Sequence, residues 1–345
     1  MVFKIRIKHA QNYANFTGSL PDESSEMNAF FENFLRSSWL KTEIQDVEFQ
    51  GKHFKVLRDD LIHPVISGNK LRKLWLYLRE ALKNNKGIET FGGPFSNHLI
   101  ATAFAAYTFK IPCRAYVRGL CQNTPSLEMC QRLGMQLQKM SSDAYRRSKN
   151  LGQSSNINWL TVPEGGKGPI GVEGVRLSYK NTFEKYDEIW LAAGTLTTAL
   201  GVALAAPHTR VVAVPVLKVN GIELLSDFMS LYCIKVPENL AFADDYHFGG
   251  YAKWTAELLE FANEFYLESG IMTDLVYTAK SLYAFIHHSN SPSGVRKLWI
   301  HTGGLQGMIG ILPQIKKKKL HLAYETPLVA HLSATHLAIN GPKPE

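Results

Sequence analysis

The chain has 345 residues, 45% of them hydrophobic, which is enough for two domains with packed cores and too apolar for a disordered chain. Its formal net charge is +8, part of it in the run Lys316-Lys317-Lys318-Lys319, but no zinc-finger spacing or aromatic ribonucleoprotein motif accompanies it, which argues against a nucleic-acid reader. Cys113, Cys121, Cys130 and Cys233 form no Cys-x-x-Cys or His/Cys cluster, and neither a signal peptide nor an apolar run of about 18 residues is visible, so we read reduced thiols in a cytosolic protein and expect neither metal nor membrane.

Residues 1–40 carry no functional signal, although 27–35 has the spacing of a short amphipathic helix. Residues 43–49 and 53–57 read as strands around Gly51, a hairpin signal. The second strand runs on to Asp59 and Asp60, and after it Lys70 opens a segment, 71–82, whose apolar residues recur at helical spacing. Lys70 thus lies where a strand hands over to a helix. Cations at Lys70, Arg72 and Lys73 oppose the positive end of the helix dipole, so something anionic is expected nearby.

Downstream, strand-like and helical stretches alternate: a strand at 88–91, an alanine-rich helix at 97–109, a strand at 113–117, a helix at 125–133, a strand at 136–140, a further helical stretch and a strand at 158–162. Strands at 189–192 and 211–216, joined by a helix at 197–206, repeat the theme, and Trp299-Ile300-His301-Thr302 runs into Gly303-Gly304. The alternation predicts βαβ units and a mostly parallel sheet, hence an α/β protein with two similar halves. Two strand-to-helix junctions, Gly194-Thr195-Leu196-Thr197-Thr198 and Ser96-Asn97-His98, have the composition of anion sites, though threonine and serine there are also ordinary helix caps. The glycine-dense stretch 164–174 by itself indicates only a loop.

The run Ser67-Gly68-Asn69-Lys70-Leu71-Arg72-Lys73, preceded by Arg58-Asp59-Asp60-Leu61-Ile62-His63-Pro64 and followed by Gly92-Gly93-Pro94-Phe95-Ser96-Asn97-His98, resembles the family of 1-aminocyclopropane-1-carboxylate (ACC) deaminases and D-cysteine desulfhydrases. These are pyridoxal-phosphate (PLP) enzymes of the tryptophan-synthase-β fold type, and the likeness spans about residues 40–312. It implies two three-layer α/β domains with mostly parallel sheets, a large one from 1–74 plus 186–345 and a small one from 75–185, with PLP in the cleft between them. By this resemblance Lys70 carries PLP as a Schiff base and Lys73 helps hold its phosphate, which Gly194, Thr195, Leu196, Thr197 and Thr198 cradle. Ser96 and Asn97 then contact the substrate carboxylate and the PLP ring, with His98 in the same cluster. The segment 164–174 approaches the substrate side. Tyr251 and Tyr277 match the two active-site tyrosines, and Thr278 and Thr302 fall where the family faces the pyridine nitrogen. Two positions depart from the pattern. Leu196 replaces the usual glycine, so that either the loop bends differently or the side chain points away, and Phe95 stands where many relatives carry glutamine.

The resemblance makes Lys70 a proton shuttle at the substrate's Cα or Cβ, with a pKa lowered by burial and neighbouring cations. ACC deaminases resembling this chain carry glutamate directly after the active tyrosine, where it keeps the ring nitrogen protonated. A neutral Thr278 leaves a weaker electron sink, suited to β-elimination. The function implied is a PLP-dependent amino-acid lyase of the D-cysteine desulfhydrase type, giving a 2-oxo acid, ammonia and, from cysteine, sulfide. The alternatives are an ACC deaminase giving 2-oxobutyrate and ammonia, or, from another class, a non-catalytic PLP-binding protein. We expect a cytoplasmic homodimer that takes a small amino acid and binds neither nucleic acid nor membrane.

Overall fold

The computed structural model describes residues 43–63, 65–66, 68–120, 123–151, 156–232, 234–288 and 294–340. The expected helix at 27–35 and the residues Pro64, Ser67, Cys121 and Cys233 lie outside this set. Strands β1 (Ile44–Phe49) and β2 (Lys52–Arg58) pair antiparallel across a turn in which Gln50 and Gly51 both take positive φ, 49° and 69°, the geometry that matches strand twist. The strand stops at Arg58, and Asp59 and Asp60 begin a short 3₁₀ turn instead of extending it.

In the second of two sheets, β3 (Gly87–Gly92), β4 (Cys113–Arg118), β5 (Gln136–Met140) and β6 (Trp159–Val162) run parallel in the order β5-β4-β3-β6. The first sheet combines the hairpin with β7 (Glu188–Ala193), β8 (Arg210–Pro215), β9 (Leu240–Phe242) and β10 (Lys297–His301) in the order β1-β2-β10-β7-β8-β9, parallel everywhere beyond the hairpin. Every residue of β7 is buried, as expected for a parallel strand covered on both faces. Apolar clusters form on the two sides of this sheet, one around Leu191, Leu200 and Ile300, the other around Trp190, Phe265 and Trp299. A separate core around Leu74, Ile88, Ala101 and Val117 belongs to the four-stranded sheet. The α/β class with mostly parallel sheets, expected from the alternation, therefore holds.

The helices relevant to the site are α1 (Asn69–Lys83), α2 (Asn97–Thr108), α3 (Pro125–Arg132), α4 (Ser142–Leu151), α5 (Pro169–Ser178), α6 (Thr197–Ala205), α7 (Gly221–Leu231), α8 (Ala256–Ser269) and α9 (Thr278–His287). Two further helices, α10 (Leu312–Lys317) and α11 (Glu325–Asn340), follow β10. The stretch 164–174 is a loop only in its first part, because α5 starts at Pro169 and runs through Gly171 and Gly174. Those glycines mark close approach: a Cβ on Gly171 would overlap the Gly166 carbonyl, and one on Gly174 would come within 2.6 Å of the Arg72 carbonyl.

Candidate active site

Lys70 stands on the first turn of α1, and the residues before it fix where that turn sits. Gly68 has φ 68° and lies so close to β10 that any Cβ would overlap the Thr302 carbonyl, to which the Asn69 N–H donates at 3.0 Å. The start of α1 is thereby joined to the carboxyl end of β10. Asn69, which the sequence reading passed over, links three parts of the site. Its Nδ2 donates to Thr198 Oγ1 at 3.1 Å and its Oδ1 accepts from Lys70 Nζ at 2.8 Å. Its position between Gly68 and Lys70 was the available signal, but a small polar residue at a helix start reads equally well as a cap.

Burial lowers the Lys70 pKa to about 8, against an upward pull from Asp274. Lys73 is buried too, pushed well below the ordinary lysine value by desolvation and by Lys70, and donates to the Gly165 carbonyl at 3.1 Å. Arg72 points elsewhere: it meets Asp59 at 2.6 Å, both side chains fully buried, while its guanidinium stacks 4.0 Å from the Tyr179 ring centroid. The anion expected at this helix start thus exists, but it serves Arg72. Among the described residues neither the half-buried Lys70 nor the buried Lys73 has an ion-pair partner within reach, and Asp274 acts on Lys70 only from a distance.

The turn 194–198 joins β7 to α6. Thr195 and Thr197 hydroxyls lie 3.2 Å apart, and Thr197 and Thr198 are buried on the first turn of α6. Leu196 adopts φ 62°, ψ −16°, the left-handed conformation that glycine adopts freely, and its side chain is 1% exposed within the cluster that includes Val175 and Leu200. The turn therefore keeps a glycine-like backbone, and the extra side chain is absorbed by the core beneath it.

At the start of α2, Ser96 caps the helix by accepting from Leu99 N at 3.4 Å. Asn97 Nδ2 donates to the Gly304 carbonyl at 2.9 Å, while its buried Oδ1 has no hydrogen-bond partner. His98, 3% exposed, turns away from both: Thr90 spends its hydroxyl proton on the Val162 carbonyl, so the His98 Nε2–H must donate to Thr90 Oγ1 at 2.8 Å. That leaves His98 Nδ1 as a second buried acceptor without a partner. Burial, with Lys70 and Lys73 nearby, lowers its pKa to about 3, so this imidazole is neutral.

Tyr277 precedes α9 and lies over the Gly194 backbone, where a Cβ would come 3.0 Å from its Cε1. Lys70 Nζ is 5.9 Å from its ring centroid, and the half-exposed Tyr251 meets it edge-on at 6.0 Å. Burial raises the pKa of both phenols, that of Tyr277 well above the ordinary value, so both remain proton donors. Thr302 is buried beside the Gly68 backbone. The Thr278 hydroxyl donates to Asp274 Oδ2 at 2.6 Å and accepts from Asp274 N at 2.8 Å. The fully buried Asp274, absent from the sequence-derived candidates, also accepts from Val276 N, Tyr277 N and Thr278 N at 2.9, 2.7 and 3.1 Å. An aspartate three residues before a tyrosine in an apolar run resembles any helix cap, which hid it.

Among the described residues no cluster of His, Cys, Asp and Glu could hold a metal ion, and no helix is long and apolar enough to cross a membrane. Residues 37–303 match the family described as pyridoxal-phosphate dependent enzyme. A Thermotoga maritima protein provisionally named 1-aminocyclopropane-1-carboxylate deaminase is 31% identical over 287 residues, covering 76% of this chain and 91% of its own. The mitochondrial bifunctional D-cysteine desulfhydrase/1-aminocyclopropane-1-carboxylate deaminase of Arabidopsis thaliana is 27% identical, covering 77% and 75% of the two chains. A solved ACC deaminase homologue superposes with a TM-score of 0.66 at 25% identity, covering 83% of this chain and 98% of its own.

Proposed function

Because the chain belongs to the pyridoxal-phosphate-dependent enzyme family, we propose that it is an amino-acid lyase of the D-cysteine desulfhydrase type, releasing a 2-oxo acid, ammonia and, from cysteine, sulfide. The observation that carries this reading is the Lys70 amine, lowered to about 8 and tied through Asn69 to Thr198. We place residues 1–74 and 186–345 in a large domain and 75–185 in a small one, with the site between the two sheets. The residues fit PLP on three counts. The buried Lys73 has no ion-pair partner among the described residues, and a phosphate supplies one. The start of α6 offers backbone N–H groups and threonine hydroxyls to the same anion. Asn97 Oδ1 is a buried acceptor that an N–H of the bound substrate or cofactor would satisfy, and such a group is costly to leave unpaired.

When bound, PLP withdraws electrons from the bond broken at the substrate's Cα. Lys70 would hold the cofactor, and its amine would move the proton at the substrate's Cα, for which a pKa of about 8 is suited. Lys73 and the turn 194–198 hold the phosphate. Ser96 and Asn97, at the start of α2, receive the substrate carboxylate. Tyr277 and Tyr251, both kept protonated, orient the substrate and donate to its leaving group. A cytoplasmic homodimer completes the reading, which sedimentation or size-exclusion measurement and cell fractionation test directly.

A second reading, the opening of ACC, is favoured by one observation. The Thr278 hydroxyl gives its proton to Asp274, so it offers any neighbouring nitrogen only a lone pair, which suits a protonated ring. The deciding experiment measures sulfide, ammonia and 2-oxo acid from D-cysteine, β-chloro-D-alanine and ACC. The first two should be consumed at least about tenfold faster in kcat/KM than ACC, roughly 1.4 kcal/mol in barrier. Production of 2-oxobutyrate from ACC with neither elimination substrate consumed would reverse the order of the two readings.

A further inference from the structure

Lys280 is a buried cation that the reaction above leaves unused. It lies on the first turn of α9, fully buried, and its Nζ donates to the carbonyls of His247 and Gly250 at 2.9 and 2.7 Å. A lysine is seldom buried completely, and a cation in a first helical turn opposes the dipole, so packing alone does not favour it here. The two carbonyls it reaches are those that close two successive turns: Gly250 N donates to His247 O at 3.0 Å, and Lys253 N to Gly250 O at 3.1 Å. Between and around them the backbone is left-handed at Phe248, Gly249, Gly250 and Ala252, with φ of 50°, 90°, 107° and 55°. Two of those residues carry a Cβ, so the segment is strained and needs support from outside itself. Tyr251 stands in the middle of it, 49% exposed, with its ring edge-on to Tyr277.

We propose that Lys280 is a positioning residue: its amine ties the turns 247–250 and 250–253 to α9 and so holds Tyr251 against Tyr277 at the mouth of the site. The same short segment would then place both tyrosines, because Asp274 accepts from the Tyr277 N–H at 2.7 Å and Lys280 fastens the Tyr251 loop six residues later in the chain. The catalytic purpose of this arrangement rests on the assignment of Tyr251 and Tyr277 to the substrate site. The fastening itself does not.

The test compares PLP-loaded wild type, Lys280→Met, Lys280→Gln and Tyr251→Phe. Backbone amide exchange is followed in 247–253 and, as a control, in α8, alongside kcat and KM for D-cysteine and PLP affinity. Lys280→Met should raise exchange in 247–253 at least about tenfold while α8 and PLP affinity stay unchanged. Its kcat should fall to within about threefold of that of Tyr251→Phe. Lys280→Gln, which keeps N–H donors on a shorter chain, should lie between Met and wild type, and it carries the comparison alone if the Met variant does not fold. Unchanged exchange in 247–253 overturns the proposal, as does a loosened loop with wild-type kcat where Tyr251→Phe is impaired. Wild-type turnover by Tyr251→Phe overturns instead the assignment of the site, and the purpose of the fastening with it.

Discussion

Leu196 sets two opposing effects against each other at one position, and replacing it separates them. Its left-handed backbone costs a residue with a Cβ about 1–2 kcal/mol, whereas its side chain, 1% exposed, fills the core under the turn. Leu196→Ala removes the packing and keeps the strain, so it should lose about 3 kcal/mol, within the 2–5 typical of buried leucine truncation. Leu196→Gly removes both. Glycine's greater freedom in the unfolded chain costs about 0.5–1 kcal/mol, which offsets only part of the relieved strain. The glycine variant should therefore be the more stable of the two, by up to about 1.5 kcal/mol, although it has the smaller side chain. At an ordinary helical position the order is reversed. Urea unfolding of the cofactor-free variants gives the comparison. A glycine variant less stable than the alanine variant would refute the reasoning and mean that the turn carries no strain.

Lys70→Ala should leave the fold intact and abolish turnover, and borohydride treatment should no longer fix cofactor to the peptide containing residue 70. Thr198→Ala should weaken PLP binding by about 1–3 kcal/mol, because it removes a hydroxyl at the start of α6 and frees Asn69 Nδ2; unchanged affinity would put the phosphate elsewhere. In the cofactor-free protein, Lys70 and Lys280 fall from the ordinary 10.5 to about 8, so between those values the unfolded chain binds more protons than the folded one. The contribution of these two lysines to stability should thus rise with pH across that window and be flat below pH 8, whereas buried thiols such as Cys113, whose pKa burial raises, pull the other way above about pH 9. Lys70→Met should reduce the rise in urea midpoint, and an unaltered pH profile would contradict the burial argument.

The hairpin, the alternating elements and the parallel sheets were legible because each rests on local periodicity: a strand covered on both faces, such as β7, is written as an unbroken apolar run from 189 to 193, and the Gln50–Gly51 turn is written in its glycine. Lys70 was legible for a related reason, since a cation at a helix start is out of place unless something needs it there. The helices at 221–231, 256–269 and 278–287 were not assigned, and the one at 169–178 was hidden by glycines whose purpose is close packing. Only the tertiary structure decided that the anion predicted at this helix start is Asp59 and pairs with Arg72, leaving Lys70 and Lys73 without one. It alone gave Asn69 its link between Lys70 and Thr198, 129 residues away, and gave Asp274 and Lys280 their hold on the two tyrosines. Those roles depend on distances between residues far apart in the chain, and periodicity, which reports each segment's own faces, does not encode which distant segment a face will meet.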